Sequence, residues 1–145
     1  MPRNYDATDL LWTSRGDYYI HDNDLMDTSN DPLRSLYQEI KERCGSDQED
    51  WEVYPTLGAN ASYFVGEQNN KQTAESIKTG LLAALVRDGY INSKDVTIRY
   101  MPVSINKIIF RVTVKVQPTL KNGNSKYLTM NGLYNYEENQ VSFIM

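Results

Sequence analysis

One cysteine, Cys44, among 145 residues leaves no partner for an internal disulfide. The fold must therefore rest on packing, as is usual for a chain made in a reducing cytoplasm. One histidine, His21, excludes the His-rich and Cys/His ligand sets of zinc sites. No apolar run approaches the roughly 18 residues that a membrane helix requires, and the start, Met1-Pro2-Arg3-Asn4-Tyr5-Asp6, is polar. The sequence predicts neither a membrane partner nor an export segment. Lys and Arg form no run, and the net charge of −4 with a pI near 5.0 gives no overall positive field, so nucleic acid is not an expected partner. The eight glycines form neither a P-loop nor a dinucleotide fingerprint, so no phosphate cradle and no cofactor is expected. What remains is ordinary for a folded domain: 40% hydrophobic and 23% charged residues. A chain of this length buries roughly two-thirds of its unfolded surface in a single core.

Along the chain, Leu10 and Trp12, then Tyr18 and Ile20, flank the turn-like Ser14-Arg15-Gly16-Asp17, which reads as a short hairpin. His21 to Asn30 is rich in Asp, Asn and Ser and reads as loop. Asp31 and Pro32 open a helix to about Cys44, with Gly45 as a left-handed stop and Leu33, Leu36, Tyr37, Ile40 and Cys44 on one face. From Ser46 to Asn70 the period is lost, and Trp51-Glu52-Val53-Tyr54-Pro55 suggests a connector packed by its own aromatics. A second helix is expected from about Thr73 to Arg87, with Ile77, Leu81, Ala84 and Leu85 inward and Asp88-Gly89 as the stop. Val96, Ile98 and Tyr100, and later Ile108, Phe110, Val112, Val114 and Val116, alternate with other residues and give the two clearest strands. Asn131-Gly132 reads as a hairpin turn between Tyr127–Met130 and Leu133–Tyr136, with a last strand from Gln140 to Met145. The expected fold is one α+β domain: a hairpin and loop over residues 1–30, a core over 31–116 and C-terminal strands over 117–145, with two helices on a mainly antiparallel sheet.

The candidate chemistry is thin. His21 beside Asp22 and Asp24 fits a loop of turn formers better than a metal site. A calcium loop beginning there would need Gly where Asp27 stands and Glu where Leu33 stands. Arg15-Gly16-Asp17 is an adhesion-type tripeptide, but a Gly-centred turn explains it without a receptor. Cys44 has the spacing of a buried side chain rather than a nucleophile. Asp47, Glu49 and Asp50 before Trp51 form an acidic loop that brings no base and nucleophile together. Tyr127, Tyr134, Tyr136, Phe143 and Ile144 crowd the C-terminal strands. Such strands either complete the chain's own sheet or pair with another subunit, where tyrosine suits an interface that also meets water.

Several segments stand in a recognisable order: Gly16-Asp17, Asp31-Pro32-Leu33-Arg34 with Gln38-Glu39-Ile40, Asp50-Trp51-Glu52-Val53-Tyr54-Pro55 before Leu57-Gly58-Ala59, and Phe64-Val65-Gly66-Glu67. Ala83-Ala84-Leu85, Asp88-Gly89, Val96 to Tyr100 and Asn106 to Val116 follow. In this order and spacing the chain resembles the baseplate wedge family of contractile phage tails, which is similar to the wedge component of type VI secretion systems. Where many members carry Glu-Pro-Arg after the second helix, this chain has Arg87-Asp88-Gly89-Tyr90. The resemblance implies a non-enzymatic structural subunit of the virion tail baseplate, made in the host cytoplasm, on which the sheath begins to assemble. Its implied partners are other baseplate wedge proteins, the tail sheath protein, and the tail tube or hub. The family's lysozyme-like label transfers to no carboxylate here. Ile109, Arg111, Thr113 and Lys115 on one strand, with Tyr127, Tyr134, Tyr136, Val141, Phe143 and Ile144, are the expected contact residues. Deleting Lys126 to Met145 is expected to leave a folded monomer that no longer supports sheath growth. The competing readings are a tail-tip peptidoglycan hydrolase and a soluble adaptor or inhibitor of one regulatory protein.

Overall fold

Strict alternation from Lys107 to Val116 sets the plane of the main sheet, because successive side chains of a strand leave by opposite faces. The computed structural model describes residues 8–13, 15–30, 32–64, 67, 70–116, 126–135 and 140–144. It is an α+β fold whose main sheet is antiparallel with strand order β3-β4-β5-β6. These strands are β3 (Val96–Ser104), β4 (Lys107–Val116), β5 (Lys126–Asn135) and β6 (Gln140–Ile144), and the C-terminal strands complete an antiparallel meander. The β4 residues Ile108, Phe110, Val112, Val114 and Val116 are all buried, joined by Ile98 from β3 and by Leu128, Met130 and Tyr134 from β5. Two helices cover this side of the sheet: α1 (Pro32–Gly45), which lies against β5 and β6, and α2 (Lys71–Val86), which lies against β3.

The helical faces follow their spacing. Leu36, Ile40 and Cys44 of α1 and Ile77, Leu81, Ala84 and Leu85 of α2 enter one core. Asn70 caps α2, its side chain accepting a hydrogen bond from the Thr73 amide at 2.9 Å. After α2 the chain turns left-handed at Asp88 (φ 59°) and Gly89 (φ 69°), as the sequence predicts. Gly45 ends α1 without entering that conformation. Between the helices Arg43 donates to the Ala84 carbonyl at 3.2 Å, pairs with Glu39 and lies 3.8 Å above the Tyr90 ring. Its charge is thus hydrogen-bonded and stacked where it is buried.

Three local expectations are corrected. Asn131-Gly132 is not a turn: β5 runs through both, placing Gly132 opposite Phe110 in an unbroken register from Lys107↔Asn135 to Val116↔Lys126. Ten paired positions outweigh the local turn preference, and a glycine suits a site opposite a large ring. The stretch from His21 is not all loop, since β1 (Ile20–His21) and β2 (Asp24–Leu25) form a hairpin around Asp22 (φ 51°) and Asn23 (φ 62°). Both positions of such a turn need positive φ, which Asp and Asn tolerate. The connector after α1 is not packed by its own apolar side chains, for Val53 and Tyr54 are 80% and 66% exposed and Trp51, 37% exposed, donates its Nε1 hydrogen to Ser46 Oγ at 3.1 Å. Polar bonds hold it instead: the Asp47 amide donates to the Asp50 carboxylate at 2.8 Å, the Gln48 amide to Asn60 Oδ1 at 2.6 Å, and the Glu49 amide to the Pro55 carbonyl at 2.8 Å.

The N-terminal arm contains the expected hairpin as a bridge between Trp12 and Tyr18, with Gly16 at φ 89° in its turn. A third segment joins it through a bridge between Leu10 and Asp27. Gln38 of α1 fastens the arm, accepting from the Trp12 amide at 2.9 Å and donating to the Leu10 carbonyl at 3.0 Å.

Candidate interaction surface

The four β4 residues singled out from the sequence, Ile109, Arg111, Thr113 and Lys115, share the sheet face opposite the helices, half-buried except for the exposed Arg111. Register brings further residues beside them in rows. Thr97, Thr113 and Thr129 make one row; Arg99, Arg111 and Asn131 the next; Met101, Ile109 and Leu133 a third. Tyr127, 65% exposed, stands opposite Lys115. Arg111 Nε donates to Asn131 Oδ1 at 3.1 Å, which fixes its guanidinium against the sheet. At the end of β3 a shift in register between Pro102 and Ser104 precedes the turn at Ile105-Asn106, and Met101, Val103 and Ile105 are 62%, 52% and 84% exposed. A proline here fits a strand that has no neighbour on its outer side among the described residues.

Tyr134 does not belong to this surface. It is 1% exposed, and its hydroxyl donates to the Phe64 carbonyl, tying β5 to the short 3-10 turn Ala61–Phe64. The sequence offered it as a contact residue because it lies among the tyrosines of the C-terminal strands. With β5 unbroken, its position falls on the core side. Val141 and Phe143 stand in register opposite Tyr134 and Gly132, at positions of the core-side set, whereas Ile144 stands opposite Asn131, in the outer register. Tyr136 lies outside the described residues.

Sequence reasoning missed Thr97, Arg99, Met101, Thr129, Asn131 and Leu133 as members of this face. It also missed its charge. Among the described residues the face carries Arg99, Lys107, Arg111 and Lys115 and no Asp or Glu, in a chain whose net charge is −4. The missing signal was local, since a whole-chain net charge averages an acidic helical half with a basic sheet.

The other candidates resolve into local structure. Thr13 Oγ1 accepts from the amides of Arg15 and Asp17, so the Arg15-Gly16-Asp17 turn is closed by its own neighbour. His21 lies 3.4 Å from Asp22 with both side chains in solvent, and no three potential metal-binding side chains cluster among the described residues. An open groove along α2 is lined by Lys71, Gln72, Glu75, Ser76 and Thr79. Its one carboxylate, Glu75, accepts from Tyr100 Oη at 2.7 Å, a bond that raises the phenol's pKa. No described helix is long and apolar enough to cross a membrane.

Cys44 is fully buried, and burial pushes its thiol up to about 12 despite the opposing charge of Arg43. The thiolate is the reactive species. Native protein at about pH 8 should therefore react with a colorimetric disulfide reagent only at the slow rate of global opening, whereas denaturant should release one thiol per chain at once. Rapid labelling without denaturant would contradict the packing of α1.

Comparison with protein-family models, curated proteins and solved structures finds no match.

Proposed function

We propose that this chain is a structural subunit of a contractile tail baseplate wedge, joining baseplate to sheath and templating the first sheath subunits. The observation that carries the reading is the outer sheet face. Helices cover one side of the sheet, while Arg99, Met101, Arg111, Tyr127 and Thr129 are exposed on the other, beside the edge strand β3. A sheet whose described residues leave one side uncovered and one edge open can take an extended segment from a neighbour, and its backbone groups then propagate strand geometry into the added subunit. Repetition around a tail would multiply a modest contact through avidity. The order and spacing of the segments that resemble the wedge family support the same reading. The implied neighbours are other wedge proteins, the sheath protein, and the tube or hub.

Tails assembled without this chain should carry a tube but no sheath, and supplying the protein should restore sheath growth in negative-stain images. Normal sheath in its absence would remove the proposed role. Tyr127→Ala refines the test, because an exposed tyrosine contributes little to folding. Stability should change by less than about 0.5 kcal/mol, while sheathed particles fall several-fold. Unchanged sheath assembly would take Tyr127 out of the junction.

A further inference from the structure

Among the described residues the outer sheet face carries cations and no carboxylate to pair with them. Arg99 and Arg111 stand directly opposite each other on β3 and β4, a like-charge placement that disfavours pairing of the two strands. Lys107, Arg111 and Lys115 recur every four residues along β4, about 13 Å apart at strand rise. Among the described residues none of these four cations meets a carboxylate, and Asp and Glu are absent from the sequence between residues 96 and 136. No Asp or Glu lies on β3, β4, β5 or β6, so among the described residues the imbalance belongs to this face. Beside the cations stand the half-buried Ile109 and Leu133, the exposed Met101 and the row of threonines.

Resting on the baseplate reading, we propose that this face docks an extended acidic segment of a neighbouring protein, with carboxylates spaced four residues apart over Lys107, Arg111 and Lys115. Such a segment relieves the Arg99–Arg111 opposition by placing negative charge between the two guanidinium groups, each able to grip a carboxylate through two N–H donors. Its alternate residues meet the threonines and the apolar positions, as one strand lying along another requires. Single-stranded nucleic acid is the less suitable polyanion. Its bases need aromatic platforms, and Tyr127 is the one described aromatic at an outward register position of β3, β4 and β5.

The test uses the full chain and a labelled synthetic peptide of about 13 residues, alternating Thr with Val and carrying Glu at three positions four residues apart. Fluorescence anisotropy should show binding that weakens several-fold between about 50 and 300 mM NaCl. A Gln-for-Glu peptide should bind at least about tenfold more weakly, as should the Glu peptide to the variant R99E/R111E. Circular dichroism and the milder R99Q/R111Q variant separate a lost charge from a lost fold. Equal binding of the Gln peptide, undiminished binding by a folded charge variant, or no binding overturns the proposal. Tighter binding of a 12-nucleotide single-stranded DNA than of the Glu peptide overturns it in favour of nucleic acid. Localisation in the tail is read separately. Peptide binding by a protein absent from tails would keep the acidic partner and discard the baseplate, whereas a protein at the sheath junction that ignores the peptide would do the reverse.

Discussion

A chain truncated before Lys126 should fail to fold. β5 is an interior strand, paired with β4 on one side and β6 on the other, and it supplies Leu128, Met130 and Tyr134 to the core. Burying each such side chain stabilises the fold by about 1.5–3 kcal/mol, so three of them approach the whole stability of a domain, about 5–15 kcal/mol. Removing β5 also uncovers the partner edge of β4 over ten paired positions and frees the Phe64 carbonyl that Tyr134 binds. The expected product gives no cooperative thermal transition and binds a hydrophobic dye. This is the opposite of the outcome expected from the sequence, a folded monomer after deletion of Lys126 to Met145. A truncated chain that melts cooperatively near the full-length temperature would show that the β3–β4 hairpin and the two helices hold a core without β5.

Gly80→Ala is the second large effect, and its sign is set by competition. Gly80 lies in the interior of α2, where alanine is favoured over glycine by about 1 kcal/mol in helix propensity alone. Against that, a Cβ at this position would lie 2.5 Å from the Ala59 carbonyl oxygen. That oxygen belongs to backbone with little room to retreat. The Ala59 amide donates to Ser46 at 2.9 Å, and at neighbouring Gly58 (φ 138°) any Cβ would be 2.5 Å from the Asp47 carbonyl carbon. Crowding of this kind costs about 1–3 kcal/mol and more where backbone must move, so the clash wins. Urea denaturation should show a net loss of about 1–2 kcal/mol. A gain of stability would mean that the connector at Ala59 yields freely to α2.

Much of this fold was legible because the decisive patterns are periodic. The alternation in β4 placed five side chains in the core and four on the outer face, and the helical spacing of Leu36, Ile40, Ile77, Leu81 and Leu85 identified the layer that covers the sheet. The failures share a cause, which is that a local preference was outvoted by a partner distant in sequence. Asn131-Gly132 is a favourable turn in isolation and a strand interior beside Phe110, and Tyr134, offered as a contact residue, is buried in the core. Trp51, Val53 and Tyr54 looked like packing residues, yet the connector is closed by Asp50, Asn60 and Pro55 and leaves Val53 and Tyr54 well exposed. Alternation along β4 was enough to put Ile109, Arg111, Thr113 and Lys115 on one face. The Arg99 row required the register with β3, which spacing along one strand does not reveal.

Electron microscopy of intact contractile tails, with a gold-labelled tag at the N-terminus of this protein, tests the central claim most directly. The wedge account predicts gold at the junction of baseplate and sheath. Gold at the tail tip, or particles that carry none, would contradict it.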